Sequence, residues 1–89
     1  MPVYMADRDL PGSTPRQLAA AQRRAIEASA RLTARGTAVR YLRSVYVPGD
    51  ARLMCLFEAP DAASVMEVNE EAQIPFLRVV EALDLMPST

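Results

Sequence analysis

Tyr41, Arg43, Ser44, Cys55 and Glu58 stand within one stretch, Val39 to Ala59 (VRYLRSVYVPGDARLMCLFEA), and supply a phenol, a guanidinium, a hydroxyl, a thiol and a carboxylate. If this stretch folds as two strands about the Pro48-Gly49-Asp50 turn, Arg43 and Glu58 fall on one sheet face, one pair apart, with Tyr41 beside them. Asp7 or Arg8 joins from the edge of the first strand. In a covered cleft these groups could orient a small polar ligand, or polarise and protonate a substrate. The plainer reading is an ion pair at a subunit interface or sheet edge, of a kind that is common and often near neutral in energy.

Cys55 could serve as a nucleophile or a soft metal ligand. It is the only cysteine and the chain has no His, so a small buried strand residue is the simpler role. Asp7 and Asp9 lie on one side of a strand end, and Glu67, Glu70 and Glu71 lie within one helical turn. Oxygen donors of this kind suit Mg, Ca or Mn better than Ni, but strand termination and a solvated helix face explain them equally simply. The metal candidates are therefore Asp7, Asp9, Cys55 and Glu58. The absence of His removes the commonest general base and the commonest nitrogen ligand. Glycine-rich phosphate loops, a nucleophile elbow and zinc spacings are also missing, which disfavours nucleotide-dependent and hydrolytic chemistry.

The elements that must position these groups follow from the pattern. Pro2 to Asp9 reads as a strand with Val3, Met5 and Asp7 on one side and Tyr4, Ala6 and Arg8 on the other. Leu10-Pro11-Gly12-Ser13 is a turn. Thr14 opens a helix through a capping box with Gln17, and Pro15 suits its first position. Leu18, Ala21, Ala25, Ala28 and Leu32 form its apolar stripe, widened by Ile26. An alanine stripe brings a helix close to the sheet it covers. Gly36 stands where a left-handed cap is wanted.

In the hairpin, a Pro48–Ala51 loop sets Val47 opposite Arg52. Tyr46–Leu53, Ser44–Cys55 and Leu42–Phe57 then pair on one face, and Val45–Met54, Arg43–Leu56 and Tyr41–Glu58 on the other. Both faces are largely apolar, so helices are expected on one and a second subunit on the other. Asp61 caps a second helix running to Gln73, with Val65, Val68 and Ala72 on its stripe. Phe76 to Met86 reads as a last strand, with a short helix as the alternative, and Pro87-Ser88-Thr89 as a tail. The order is βαββαβ, a ferredoxin-like α+β sandwich: an antiparallel sheet with two helices on one face and the other face in a dimer.

Eighty-nine residues make one domain, 1–89. A chain this short has a thin stability margin, and with one cysteine it forms no internal disulfide. Association is the natural supplement, and a composition that is 51% apolar supplies the surface. A free thiol fits the cytoplasm. The N-terminus lacks a signal-peptide pattern, and no apolar run approaches the ~20 residues of a membrane span. All ten basic residues are Arg and the net charge is −1, which gives no general attraction to nucleic acid. Residues 14–36 hold five Arg (Arg16, Arg23, Arg24, Arg31 and Arg35) against one Glu, whereas residues 58–89 hold seven acids against Arg78. No aromatic lies in residues 5–40 to stack on bases. Mutual attraction of a basic and an acidic helix accounts for the division.

YMADRDLPG, CLFEAPD and AQIPFLRVVEA, in that order and spacing, resemble a family of small bacterial ferredoxin-like proteins carried as a domain of unknown function. Some members of that family are nickel-binding homodimers. The resemblance covers nearly the whole chain. It implies the fold, a homodimer and a metal-handling role with a divalent ion such as nickel. Many relatives carry a His in the second helix, after a Glu and before the turn. Here the Glu is Glu67, the turn is Ile74-Pro75 and the matching position is Val68, so imidazole ligation does not occur in this chain. Three functions are expected from these readings: a cytoplasmic, non-enzymatic binding homodimer with metal-binding kinship; a dimeric α+β barrel binder or enzyme using Tyr41, Arg43 and Glu58; or a structural interaction module.

Overall fold

The computed structural model describes residues 1–87. It contains β1 (Val3–Asp9), α1 (Pro15–Ala34), β2 (Arg40–Val47), β3 (Arg52–Glu58), α2 (Ala62–Glu71) and β4 (Arg78–Ala82). The sheet is antiparallel in the order β2-β3-β1-β4. Both helices pack on one side of it, which makes the chain a ferredoxin-like α+β sandwich. The last segment is a strand, shorter than the whole Phe76–Met86 run. Of the expected tail, Ser88 and Thr89 lie outside the described residues.

Local chemistry sets the element ends. The Thr14 side chain accepts from Gln17 N at 3.1 Å while Gln17 Oε1 accepts from Thr14 N at 2.9 Å, a complete capping box. Gly36 ends α1 at φ +102°, a conformation that a side chain would strain. Asp61 caps α2, its Oδ1 accepting from Ser64 N at 2.8 Å and from Ser64 Oγ at 2.6 Å. Between β2 and β3, Pro48–Asp50 form one 3-10 turn and Ala51 takes a left-handed conformation.

α1 buries Ala21, Ala25, Ala28, Ser29 and Leu32. Ile26 does not widen this stripe: it is 47% exposed, because one residue past Ala25 is roughly 100° further round the helix. Val65, Val68 and Ala72 carry the buried side of α2, with Phe57 and Leu32 beneath the helices. Full burial of each large side chain of this set contributes about 1.5–3 kcal/mol. The basic and acidic helices do meet, through a single acid: Glu71 receives Arg35 at 2.9 Å and Arg31 at 3.7 Å. Both arginines are half exposed, so this pairing contributes little, about 0–1 kcal/mol.

The hairpin register is Val47↔Arg52, Tyr46↔Leu53, Val45↔Met54, Ser44↔Cys55 and Arg43↔Leu56, as expected. It then breaks. A bulge between Tyr41 and Arg43 inserts Leu42, so Tyr41 faces Phe57 and Arg40 faces Glu58. One extra residue exchanges the two faces for everything before it. The expected pairs Leu42–Phe57 and Tyr41–Glu58 are therefore replaced.

The face away from the helices is a second apolar surface. Leu56, Met5 and Val80 lie side by side across three strands, and Val45 pairs with Met54. Beyond β4, the chain runs over this face. Arg43 on β2 holds Asp84 at 2.8 Å, and β2 and β4 are the two outer strands. Leu83 and Leu85 on that segment are each 83% exposed.

Candidate functional site

The residues picked out by type are distributed over both sheet faces. The bulge turns Tyr41 under α1, where its ring meets Phe57 edge-on at 5.5 Å. Arg43 and Glu58 stay on the opposite face, each with its own partner: Asp84 for Arg43, and Arg40 at 2.6 Å for Glu58. The expected Tyr41–Arg43–Glu58 cluster is therefore not assembled within one chain. Asp7 and Asp9 also lie on the open face. Arg52 grips Asp7 with two parallel bonds of 3.0 Å, and Arg78 adds a third at 3.3 Å. Asp9 lies 3.4 Å from the same Arg52. Burial alone would raise the Asp7 pKa, but the Arg52 and Arg78 guanidinium groups hold it below its ordinary value. Cys55 is on the helix-covered face, 4% exposed. No group of three or more His, Cys, Asp or Glu placed to hold a metal ion occurs among the described residues.

What the fold does assemble lies beneath α1. Where alanines face the sheet, a cavity of ≈300 Å³ remains. Pro15, Leu18, Ala19, Ala21, Gln22 and Ala25 of α1 form its roof. Ser44 and Tyr46 of β2, Leu53 and Cys55 of β3, and Ile74 after α2 form the rest. This volume is at the lower end of the range for small-molecule sites, roughly 300–1,000 Å³. The lining is mainly apolar, with one polar seam. Gln22 Nε2 donates to the Tyr41 hydroxyl at 2.8 Å, Tyr41 bonds Ser44 Oγ, and Ser44 Oγ donates to Cys55 Sγ at 3.0 Å. The bulge that displaced Tyr41 is thus what completes this seam.

Arg8 lies against the inner side of the same wall. It is 1% exposed, pairs in register with the cavity residue Leu53, and has its guanidinium beside Cys55. Nη1 donates to Asn69 Oδ1 on α2 at 2.8 Å, and Asn69 in turn donates to Val65 O at 2.8 Å. Nε and Nη2 have no hydrogen-bond partner among the described residues. Burial pushes the Arg8 pKa down, against the raising influence of Cys55, Tyr41 and Asp7. The neighbouring Asp7 points to the other face and is already held by Arg52 and Arg78. Alternation along β1 places Arg8 with Tyr4 and Ala6, which is the available sequence signal for this residue. Nothing in the sequence marks Gln22 or Asn69, because their roles depend on how the helices are set on the sheet.

No helix of the described residues is long and apolar enough to cross a membrane. A family model described as nickel responsive protein, SCO4226-like, matches residues 4–82. The crystal structure of SCO4226 from Streptomyces coelicolor A3(2) is similar in shape, with a TM-score of 0.80 at 22% identity, covering 93% of this chain and 99% of that one. At that identity the likeness shows the fold. No curated protein matches the chain.

Proposed function

The chain belongs to the SCO4226-like family of nickel responsive proteins, and from that premise we propose that it is a small non-enzymatic binding protein whose ligand occupies the cavity under α1. The observation that carries this reading is the cavity itself: ≈300 Å³, with Ala19, Ala21 and Ala25 in its roof and Ser44 and Cys55 in its floor, beside the hydrogen-bonded Gln22–Tyr41–Ser44–Cys55 seam. Its lining contains no carboxylate and no imidazole, so the seam offers hydrogen bonds for orientation and no evident acid–base pair. An enzyme working through Tyr41, Arg43 and Glu58 has less support, since these side chains face opposite sides of the sheet.

The family description suggests metal handling. The donors of this chain do not fit a nickel site: there is no His, the Asp7 carboxylate is taken up by Arg52 and Arg78, Glu58 by Arg40, and Cys55 lies on the other face beside a cation. Calorimetric titration of the purified protein with Ni²⁺ is expected to give no saturable heat, and a saturable isotherm would overturn the donor argument.

The open sheet face suits a homodimer, because Met5, Leu56, Met54 and Val80 form a band there and a chain of this size gains stability by covering it. A cytoplasmic setting agrees with the single free thiol. The cavity reading is tested by ligand-observed NMR with 1-octanol as an apolar probe. Saturable binding that Ala21→Leu abolishes supports it. Absence of binding to the wild type, or equal binding to both proteins, removes it.

A further inference from the structure

A guanidinium is charged at every physiological pH, and Arg8 keeps that charge inside the fold, hydrogen-bonded through Nη1 to the neutral Asn69 and in no ion pair among the described residues. A buried ion without a counter-ion costs several kcal/mol in proteins, and unpaired buried N–H donors add to the penalty. The unpaired donors Nε and Nη2 belong to a side chain beside two cavity-lining residues: Leu53 faces Arg8 in register, and Cys55, two residues along β3, is on the same side of the sheet. Beyond that wall the cavity is apolar over most of its surface. Ser44, Tyr46 and Cys55 are the polar members of its sheet-side lining, and Arg8 lies outside that lining.

We propose that the cavity under α1 takes a small apolar molecule carrying one carboxylate, with the apolar part against α1 and the carboxylate closing on Arg8. This rests on the reading of the cavity as a ligand site and specifies the chemistry of its ligand. The two oxygens of a carboxylate match two neighbouring guanidinium N–H groups in one plane. Ser44 Oγ lines the cavity and offers a further donor once a ligand replaces Cys55 Sγ as its acceptor, with Tyr41 still bonded to Ser44. Entry to Arg8 requires the Ser44 and Cys55 side chains to turn from their present bond, a rearrangement of two small rotamers. Asn69 stays in place and steers the guanidinium through Nη1.

The test compares three molecules of equal chain length, octanoate, 1-octanol and octylamine, by ligand-observed NMR and thermal shift on the full chain. The wild type is expected to bind octanoate about tenfold or more tightly than 1-octanol, and octylamine least. Arg8→Met, which keeps the buried volume and removes the charge, is expected to lose the octanoate preference while still binding 1-octanol. If Arg8→Met does not fold, the ranking of the three probes on the wild type decides alone. Equal affinity of the wild type for octanoate and 1-octanol overturns the carboxylate assignment and leaves the cavity reading standing. Absence of binding by all three overturns both.

Discussion

Asp7 and Arg8 are adjacent, both buried and oppositely charged, yet each answers to a different face of the sheet. Asp7 is satisfied three times over by Arg52 and Arg78. Asp7→Asn removes the charge that those guanidiniums hold, and an expected loss of about 1–3 kcal/mol in urea unfolding checks its importance. The pH dependence has a definite sign. The folded-state pKa of Asp7 is depressed, so its contribution is fully present above the unfolded carboxylate range, about 3.9, and is lost as pH falls through the lower folded value. The stability gap between wild type and Asp7→Asn is therefore expected to be constant near neutral pH and to close in strong acid. A gap unchanged down to the acid limit would count against this assignment. Arg8 behaves differently, since no accessible pH removes its charge. Its one observed side-chain partner is the neutral Asn69.

At the scale of elements, the bulge in β2 decides where the polar seam forms. Deleting Leu42 removes the inserted residue and is expected to restore an unbroken ladder in which Tyr41 still faces Phe57 and Arg43 still faces Leu56, so the 1-octanol binding should be retained. Lost binding would show that the seam needs the local shape of the bulge and not only the face on which it sets Tyr41. This same bulge marks the limit of what could be read beforehand. The element order, both caps, the turn and the pairs from Val47 to Arg43 follow from local rules and alternation, and all are present. An inserted residue leaves the alternation of VRYLRSVYV looking continuous, so alternation alone sets Tyr41 on the wrong face, with Arg43 and Glu58. The cavity was unreadable for a related reason. An alanine stripe says that a helix comes close, but the gap left over depends on the tilt of α1 against β2 and β3. Thr14→Ala, which removes the capping box at the cavity end of α1, is expected to cost about 1 kcal/mol in thermal unfolding. No shift in midpoint would mean that the first turn is held by its contacts alone.

For the whole molecule, one side of the sheet is closed by helices and the other by only a short length of chain. The segment beyond β4, pinned by Arg43 to Asp84, lies over the band of Met5, Leu56 and Val80 and presents Leu83 and Leu85 outward. A partner docking here meets a layer made jointly by sheet and segment. Met54→Glu is expected to weaken self-association about tenfold or more in sedimentation velocity, because a desolvated carboxylate would face an apolar surface. Truncation after Ala82 should weaken it as well. Association unaffected by both changes would place the dimer surface elsewhere.

Cys55 gives the chain a clock. A lone thiol at 4% exposure in the wall of the cavity under α1 meets a maleimide or disulfide reagent when the cavity admits the reagent or when α1 lifts from β2 and β3. The rate of its modification then counts those excursions directly, with no engineered label. Reaction about a hundredfold or more slower than that of a small free thiol corresponds to local opening that costs roughly 3 kcal/mol. A ligand held beneath α1 should slow the clock further in proportion to its occupancy, so the same measurement reports how accessible the cavity wall is and whether anything lies against it.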